Sequence, residues 1–283
     1  MAKIIISFFY CTSIICFTIQ DIKTTCASLK NNILVTIQND DAVQIWDIEK
    51  EQKLADLPSI LATSKCAISD DASLITLVAD KEAELWKKYE DGWQKYDFIL
   101  SKPLSPMDDI ACGTSINQGS KKSFFFISHI YPCEDGLVQE RISISHRKKY
   151  YYPIKLNHMK INFLSKYNPL ANKIMFTYVI DNKATHVVIY DLKKKKVIFT
   201  YVILARIYNI NFIEDEKKCL LVYNDQQKIT NYLVLDFNMY TFNKFILDDI
   251  NIIDIYIKNN ILYLITKDSV VKYNLQEKII SKI

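Results

Sequence analysis

The sequence is poor in the two residues that usually punctuate a chain: its 283 residues include only four Gly and six Pro. That excludes collagen-like and Gly/Pro-rich disordered classes, and it leaves no Gly-rich loop whose backbone N–H groups would cradle a phosphate. Only four histidines occur (His129, His146, His158 and His186), scattered along the chain, and neither HExxH nor GxSxG is present. The seven cysteines, at positions 11, 16, 26, 66, 112, 133 and 219, form no CxxC pair and no Cys/His ligand cluster. An odd count without a framework favours a reducing compartment. Carboxylates pair only as turn dipeptides, where they satisfy local backbone far more often than they do acid–base work. No catalytic residue, metal site or cofactor is therefore expected of this chain itself.

Hydrophobic residues make up 49% of the sequence, enough for one substantial core, and the net charge of +4 is too small to imply nucleic acid by itself. The stretch Ile22–Leu57 sets the pattern. Apolar runs at Thr25–Leu29, Ile33–Ile37, Val43–Ile48 and Lys53–Leu57 are too short for helices and rich in β-branched residues, so they read as strands. Lys30-Asn31-Asn32 and Asn39-Asp40-Asp41 supply the turns in place of glycine. Asp40 stands six residues before Trp46, and Trp46-Asp47 closes the third strand. The same figure returns forty residues later at Asp80 and Trp86. This period and dipeptide resemble the WD40 repeat and imply an all-β, WD40-like β-propeller. In it Asp40 and Asp80 buttress turns, while Trp46 and Trp86 fill space between blades.

Six full units follow at about residues 22–57, 65–100, 109–156, 159–203, 207–247 and 250–283, all in a single domain spanning 1–283. Met159–Leu164 is expected to open the fourth unit and Lys278–Ile283 to end the sixth. Residues 1–25 read as an abbreviated blade or as closing strands, Lys3–Tyr10 and Ile14–Ile19, giving six or seven blades in total. The ring must close, since an open sheet edge invites pairing with other chains. The apolar N-terminus also resembles a secretory signal, with Thr25-Cys26-Ala27 as a cleavage site. Cleavage there would cut the first strand of the best-defined blade, so two strands are the preferred reading. The run is too interrupted to span a membrane.

Sorting loops by blade face separates the charges. Loops joining first to second and third to fourth strands carry Lys30, Lys50, Lys87-Lys88, Lys121-Lys122, Arg147-Lys148-Lys149, Lys193–Lys196, Lys217-Lys218 and Lys258. The opposite face carries Asp40-Asp41, Asp80, Glu82, Asp108-Asp109, Glu134-Asp135, Asp181, Asp225 and Asp248-Asp249. Solvated turns account for any one pair. Clustering on one face points instead to a phosphate-binding or acidic-partner surface, with Lys148, Lys149, Lys193, Lys194, Lys195 and Lys196 as RNA phosphate candidates.

Three further stretches carry a narrower resemblance. Val78-Ala79-Asp80-Lys81, Leu104-Ser105-Pro106-Met107-Asp108-Asp109-Ile110 and Gln139-Glu140-Arg141-Ile142-Ser143-Ile144-Ser145-His146 occur in order. They are similar to the V-A-D-K, G-H-x-S-M-L-x-D-V and D-x-D-E-[KH]-I-[KR]-[IV]-S motifs of the non-catalytic WD-repeat subunit of tRNA (guanine-N7-)-methyltransferase. Here Ser101–Pro103 replaces the Gly-His, the Gly after V-A-D-K is missing, and Ser143 stands where the family has a basic residue. The resemblance implies a scaffold for a separate methyltransferase that itself binds S-adenosylmethionine. It makes Glu140 and Arg141 partner contacts and implies tRNA binding through the complex, in nucleus or cytoplasm. A generic WD40 scaffold in another assembly, and a secreted propeller with a cleaved N-terminus, are the alternatives.

Overall fold

Strand-length apolar runs joined by tight polar turns can satisfy their backbone groups only by pairing, and each run pairs with the next along the chain. The computed structural model describes residues 8–19, 21–105, 108–116, 123–133, 136–144, 146–153, 164–168, 173–180, 184–213, 218–224, 230–236, 241–246, 252–258 and 261–278. Among these residues there are six four-stranded antiparallel sheets.

The chain begins with β1 (Phe8–Thr18). The first sheet then holds β2 (Ile22–Ser28), β3 (Ile33–Gln38), β4 (Val43–Asp47) and β5 (Gln52–Leu57), and the second holds β6 (Lys65–Ile68), β7 (Leu74–Ala79), β8 (Glu82–Tyr89) and β9 (Gly92–Ile99). The third comprises β10 (Asp109–Ile116), β11 (Ser123–Cys133), β12 (Gly136–Ile142) and β13 (Arg147–Pro153). The fourth comprises β14 (Ser165–Asn168), β15 (Lys173–Ile180), β16 (Ala184–Asp191) and β17 (Lys196–Ile203). The fifth is β18 (Arg206–Phe212), β19 (Lys218–Asn224), β20 (Thr230–Asp236) and β21 (Thr241–Ile246). In the sixth, β22 (Ile252–Lys258), β23 (Ile261–Thr266) and β24 (Ser269–Lys278) are completed by β1 from the opposite end of the chain.

That last pairing corrects two expectations. The N-terminal segment forms one strand across Cys11-Thr12-Ser13 rather than two; of the two places expected for it, it takes the closing one, against the C-terminal strands of the sixth sheet, and not an abbreviated blade. The outer place expected for Lys278–Ile283 is taken by β1, whose Phe8 pairs with Lys278 and Thr18 with Ser269. Residues 279–283 lie outside the described residues, as do 159–163 of the strand expected at Met159–Leu164; the fourth sheet opens on Ser165–Asn168.

The first strands of the sheets touch in cyclic order, β2 to β6, β10, β14, β18 and β22, and β22 touches β2 again, so the ring is closed. Side chains of successive strand residues point to opposite faces, and each face packs against the neighbouring sheet. In β7, Leu74 and Val78 join the cluster toward the third sheet while Ile75 and Leu77 join the one toward the first. Six such clusters fill the six spaces between sheets. Each buried Leu, Ile or Val contributes about 1.5–3 kcal/mol. Turns use Asp21, Asn32, Asp41, Asp80 and Lys195 in the left-handed region that glycine would otherwise take.

Polar groups near the axis stitch sheets together. The buried Asp254 carboxylate accepts from Thr25 Oγ1 (3.2 Å) in the first sheet, Tyr256 OH (2.6 Å) in its own and Asn211 Nδ2 (3.4 Å) in the fifth. Desolvation, with the Asp254 charge beside it, pushes the Tyr256 hydroxyl well above its ordinary value. A small cavity of about 210 Å³ on the axis is lined by Thr25, Lys65, Asp108, Asn209 and Asp254, among others.

Candidate functional site

The three stretches that carry the narrower resemblance meet where the second sheet gives way to the third. Asp80 follows the end of β7 with a φ of 51°, turning the chain so that its carbonyl accepts from Leu104 N (2.8 Å). That bond ties the first stretch to the second. Ser101 donates from its backbone N (3.2 Å) and its Oγ (2.7 Å) to Glu140 Oε2, which ties the approach of the second stretch to the third. Residues 106 and 107 and Ser145 lie outside the described residues.

Below this contact is a buried pair. His129 Nε2 lies 2.8 Å from Asp108 Oδ2, with both side chains fully out of water. A carboxylate only accepts, so the ring nitrogen donates. Ser105 N also donates to Oδ2 (3.1 Å), and Lys102 Nζ stands 3.4 Å away while lying 4.0 Å over the Tyr131 ring. Burial pushes the Asp108 carboxyl up. The His129 hydrogen bond, the Ser105 N–H and the charges of His129 and Lys102 outweigh it and hold the group below its ordinary value. Lys65 Nζ donates to the Asp108 carbonyl. These bonds fix the loop that enters the third sheet. Neither Asp108 nor His129 faces solvent, so their arrangement positions backbone rather than presenting a reactive group.

Glu140 does not occupy the exposed place expected of a partner contact. Its side chain is fully buried, bonded to Ser101 and 3.7 Å and 3.9 Å from Arg147 Nε and Lys149 Nζ. A carboxylate so placed orders the loop that a partner would meet. Arg141 points to the other face of β12, toward the fourth sheet, as strand alternation requires. Its guanidinium lies 5.0 Å from the Phe126 ring centre and 5.5 Å from that of Tyr150, and the residue is half-buried.

Lys148 and Lys149 follow Arg147 at the start of β13, and Lys193 to Lys195 lie in the turn from β16 to β17, which opens on Lys196, so both groups sit at the same end of adjacent sheets. All six are exposed. Lys149 is engaged with Glu140 and Lys194 with Asp191 (3.8 Å); among the described residues Lys148, Lys193, Lys195 and Lys196 make no ion pair.

The face-by-face charge separation is broken at the first two sheets. Asp70, Asp71, Glu90 and Asp91 share the end that carries Lys30, Lys50, Lys87 and Lys88. On the opposite end Asp41 is paired with Lys23 (2.8 Å) and Asp108 is buried. Lys121-Lys122, Glu134-Asp135, Lys217, Asp181, Asp225 and Asp248-Asp249 lie outside the described residues.

Trp86 is buried between the first and second sheets and donates to Glu84 Oε2 (2.9 Å). Trp46 is half-buried against the cluster between the sixth and first sheets and donates to Thr36 Oγ1 (3.1 Å). Asp40 Oδ1 accepts from Ala42 N (3.1 Å), whereas Asp80 acts through its backbone carbonyl. In the third sheet Gln139 takes the inward polar role, donating to Ser128 Oγ (2.8 Å) and accepting from Tyr152 OH (3.0 Å). Sequence reading missed Ser101, Asp108, His129 and Gln139. Asp108 and Gln139 lie inside the second and third resemblance-bearing stretches, which was the local signal that could have found them; Ser101 and His129 carried none.

No protein-family model matches this chain, and no curated protein sequence is significantly similar to it. Its fold does match solved structures. The RRP9 WD40 repeats align over 93% of this chain and 97% of theirs at 10% identity with a TM-score of 0.54. The C-terminal WD40 domain of Sif2 aligns over 95% and 99% at 11% identity with a TM-score of 0.52. Hydrazine synthase of Kuenenia stuttgartiensis aligns over 86% and 73% at 11% identity with a TM-score of 0.54. Six four-stranded sheets in a closed ring, with WD40 structures matching over nearly the whole chain, make the fold of this protein a WD40-type β-propeller.

Proposed function

We propose that this propeller is a non-catalytic subunit that holds a separate enzyme, and that the enzyme is a tRNA (guanine-N7-)-methyltransferase. The observation that carries the reading is the convergence of three separated stretches on one junction through the Leu104–Asp80 and Ser101–Glu140 hydrogen bonds. Motifs spread over seventy residues of sequence serve one binding surface only if the fold brings them together. In this reading Glu140 orders the loop, while Arg141, held against Phe126 and Tyr150 on the opposite face of β12, would contact a partner only if the partner reaches past this junction toward the fourth sheet. The catalytic partner binds S-adenosylmethionine, and the complex works on tRNA in nucleus or cytoplasm. The exposed Lys148, Lys193, Lys195 and Lys196 supply phosphate contacts whose strength falls steeply with salt.

Affinity capture of the tagged chain from its own cells, followed by mass spectrometry, tests the reading. A class I methyltransferase recovered in near-equal amount is the expected result. Recovery of other assemblies without any methyltransferase would leave a generic protein-binding scaffold instead.

A further inference from the structure

A wide cleft of about 1010 Å³ lies between the first and second sheets. Its apolar wall is unusual in origin. In the ladder between β4 and β5, Ile45 pairs with Ala55 and Trp46 with Lys53, so Leu54 is the extra residue of a β-bulge. A bulge re-aims the side chain it carries. Leu54 is 46% exposed and lines the cleft together with Ile33 and the half-buried Trp93.

The fourth sheet contains the same irregularity and shows what such a residue does when its space is filled. There Ile189 pairs with Phe199 and Tyr190 with Val197, leaving Ile198 as the extra residue. Ile198 packs against the apolar cluster between the fourth and fifth sheets. Leu54 has the equivalent position and an open cleft in front of it.

The charges at the mouth of this cleft are one-sided. Asp71, Glu90 and Asp91 line it against the single cation Lys88, and all four are exposed. Asp71 is held by the turn, accepting from Ser69 Oγ (2.6 Å) and Ser73 N (3.1 Å), and these bonds hold its carboxyl below the ordinary value against desolvation. An apolar wall beneath a net acidic mouth complements an apolar side chain flanked by basic residues.

We propose that this cleft is a docking groove for a peptide segment of a protein partner, one that places an aliphatic side chain between Leu54 and Trp93 and its neighbouring Arg or Lys residues against Glu90, Asp91 and Asp71. The groove is independent of the junction between the second and third sheets and of the identity of the partner there.

The test uses the full chain and a short fluorescein-labelled peptide in which Arg alternates with Leu, read by fluorescence anisotropy and by the emission of Trp93. Three variants are compared with the parent chain: Leu54→Glu, which puts a charge on the apolar wall, the exposed pair Glu90→Lys/Asp91→Lys, and Leu204→Glu, at an exposed residue between the fourth and fifth sheets, as a control away from the cleft. Circular dichroism melting establishes that each variant folds. Saturable binding that weakens at least tenfold in each of the first two variants and not in the control, with a Trp93 emission shift lost in Trp93→Phe, is the expected result. Equal binding of a peptide with Glu in place of Arg, binding unchanged in the cleft variants, or no saturable binding would each overturn the proposal. So would a concentration-dependent dimer that the Glu90/Asp91 reversal dissolves, since it would assign the cleft to a second copy of the chain.

Discussion

Asp108 Oδ2 and His129 Nε2 stand 2.8 Å apart with no exposed surface on either side chain, and this pair pins the loop entering the third sheet to the strand beside it. Removing one member leaves the other buried without its partner. Asp108→Ala is therefore expected to destabilise the fold by about 3–5 kcal/mol. The folded carboxyl lies below its ordinary value of 3.8. Its contribution is thus complete above that value and is lost as pH falls through the lower folded one. Urea midpoints should show a constant gap between the parent and Asp108→Asn at neutral pH, and the gap should close below about pH 4, near the ordinary carboxylate pKa.

The two signature tryptophans separate packing from hydrogen bonding. Trp86, 4% exposed between two sheets, should cost about 3–5 kcal/mol on replacement by Ala. Trp46→Phe keeps most of the ring and loses the bond to Thr36, at a cost of about 1 kcal/mol. Chemical denaturation of the two variants measures both.

Closure of the ring by β1 makes truncation informative. Deleting residues through Thr18 strips the fourth strand from the sixth sheet and leaves β24 with an open edge. Open edges pair with other chains. Light scattering should show the truncated protein associating at concentrations where the full chain does not, and hydrogen exchange should quicken first in β24.

The cysteines should divide by burial. Desolvation pushes the Cys112 thiol up to about 12 and raises Cys219 as well, while Cys66 and Cys133 are only half-buried. The thiolate is the reactive form. Iodoacetamide at pH 8 is expected to label Cys66 and Cys133 and to spare Cys112 and Cys219 until the protein is unfolded, as peptide mass spectrometry will read.

Local pattern carried much of the fold. Ile33–Ile37 and Val43–Ile48, read from β-branched runs and Asn/Asp turns, coincide with β3 and β4 to within a residue at either end. Closure of the ring by the N-terminal residues was one of two readings, but the choice between them and the register were not legible, because nothing near Phe8 records that it pairs with Lys278, at the far end of the chain. Glu140 illustrates the limit for sites. A carboxylate in a strand beside Arg141 looks like a surface group, and only the loop carrying Ser101, thirty-nine residues earlier, shows that it is buried. The basic face was overdrawn for the opposite reason: counting lysines by loop ignored Asp70, Asp71, Glu90 and Asp91 at the same end of the first two sheets. Leu54 could not be singled out, since a bulge depends on the register of two strands and not on either sequence alone.

Reconstituted methyl transfer is the most direct test of the account. The proposed class I methyltransferase partner is assayed on tRNA with and without the propeller, using a Ser101→Ala/Glu140→Gln variant that removes the bond between the loop leading into the second resemblance-bearing stretch and the third. The account predicts N7-methylguanine in tRNA only when the propeller is present, with reduced formation in the variant despite a normal circular dichroism spectrum. Full activity of the enzyme alone, unchanged by the propeller or the variant, would contradict it.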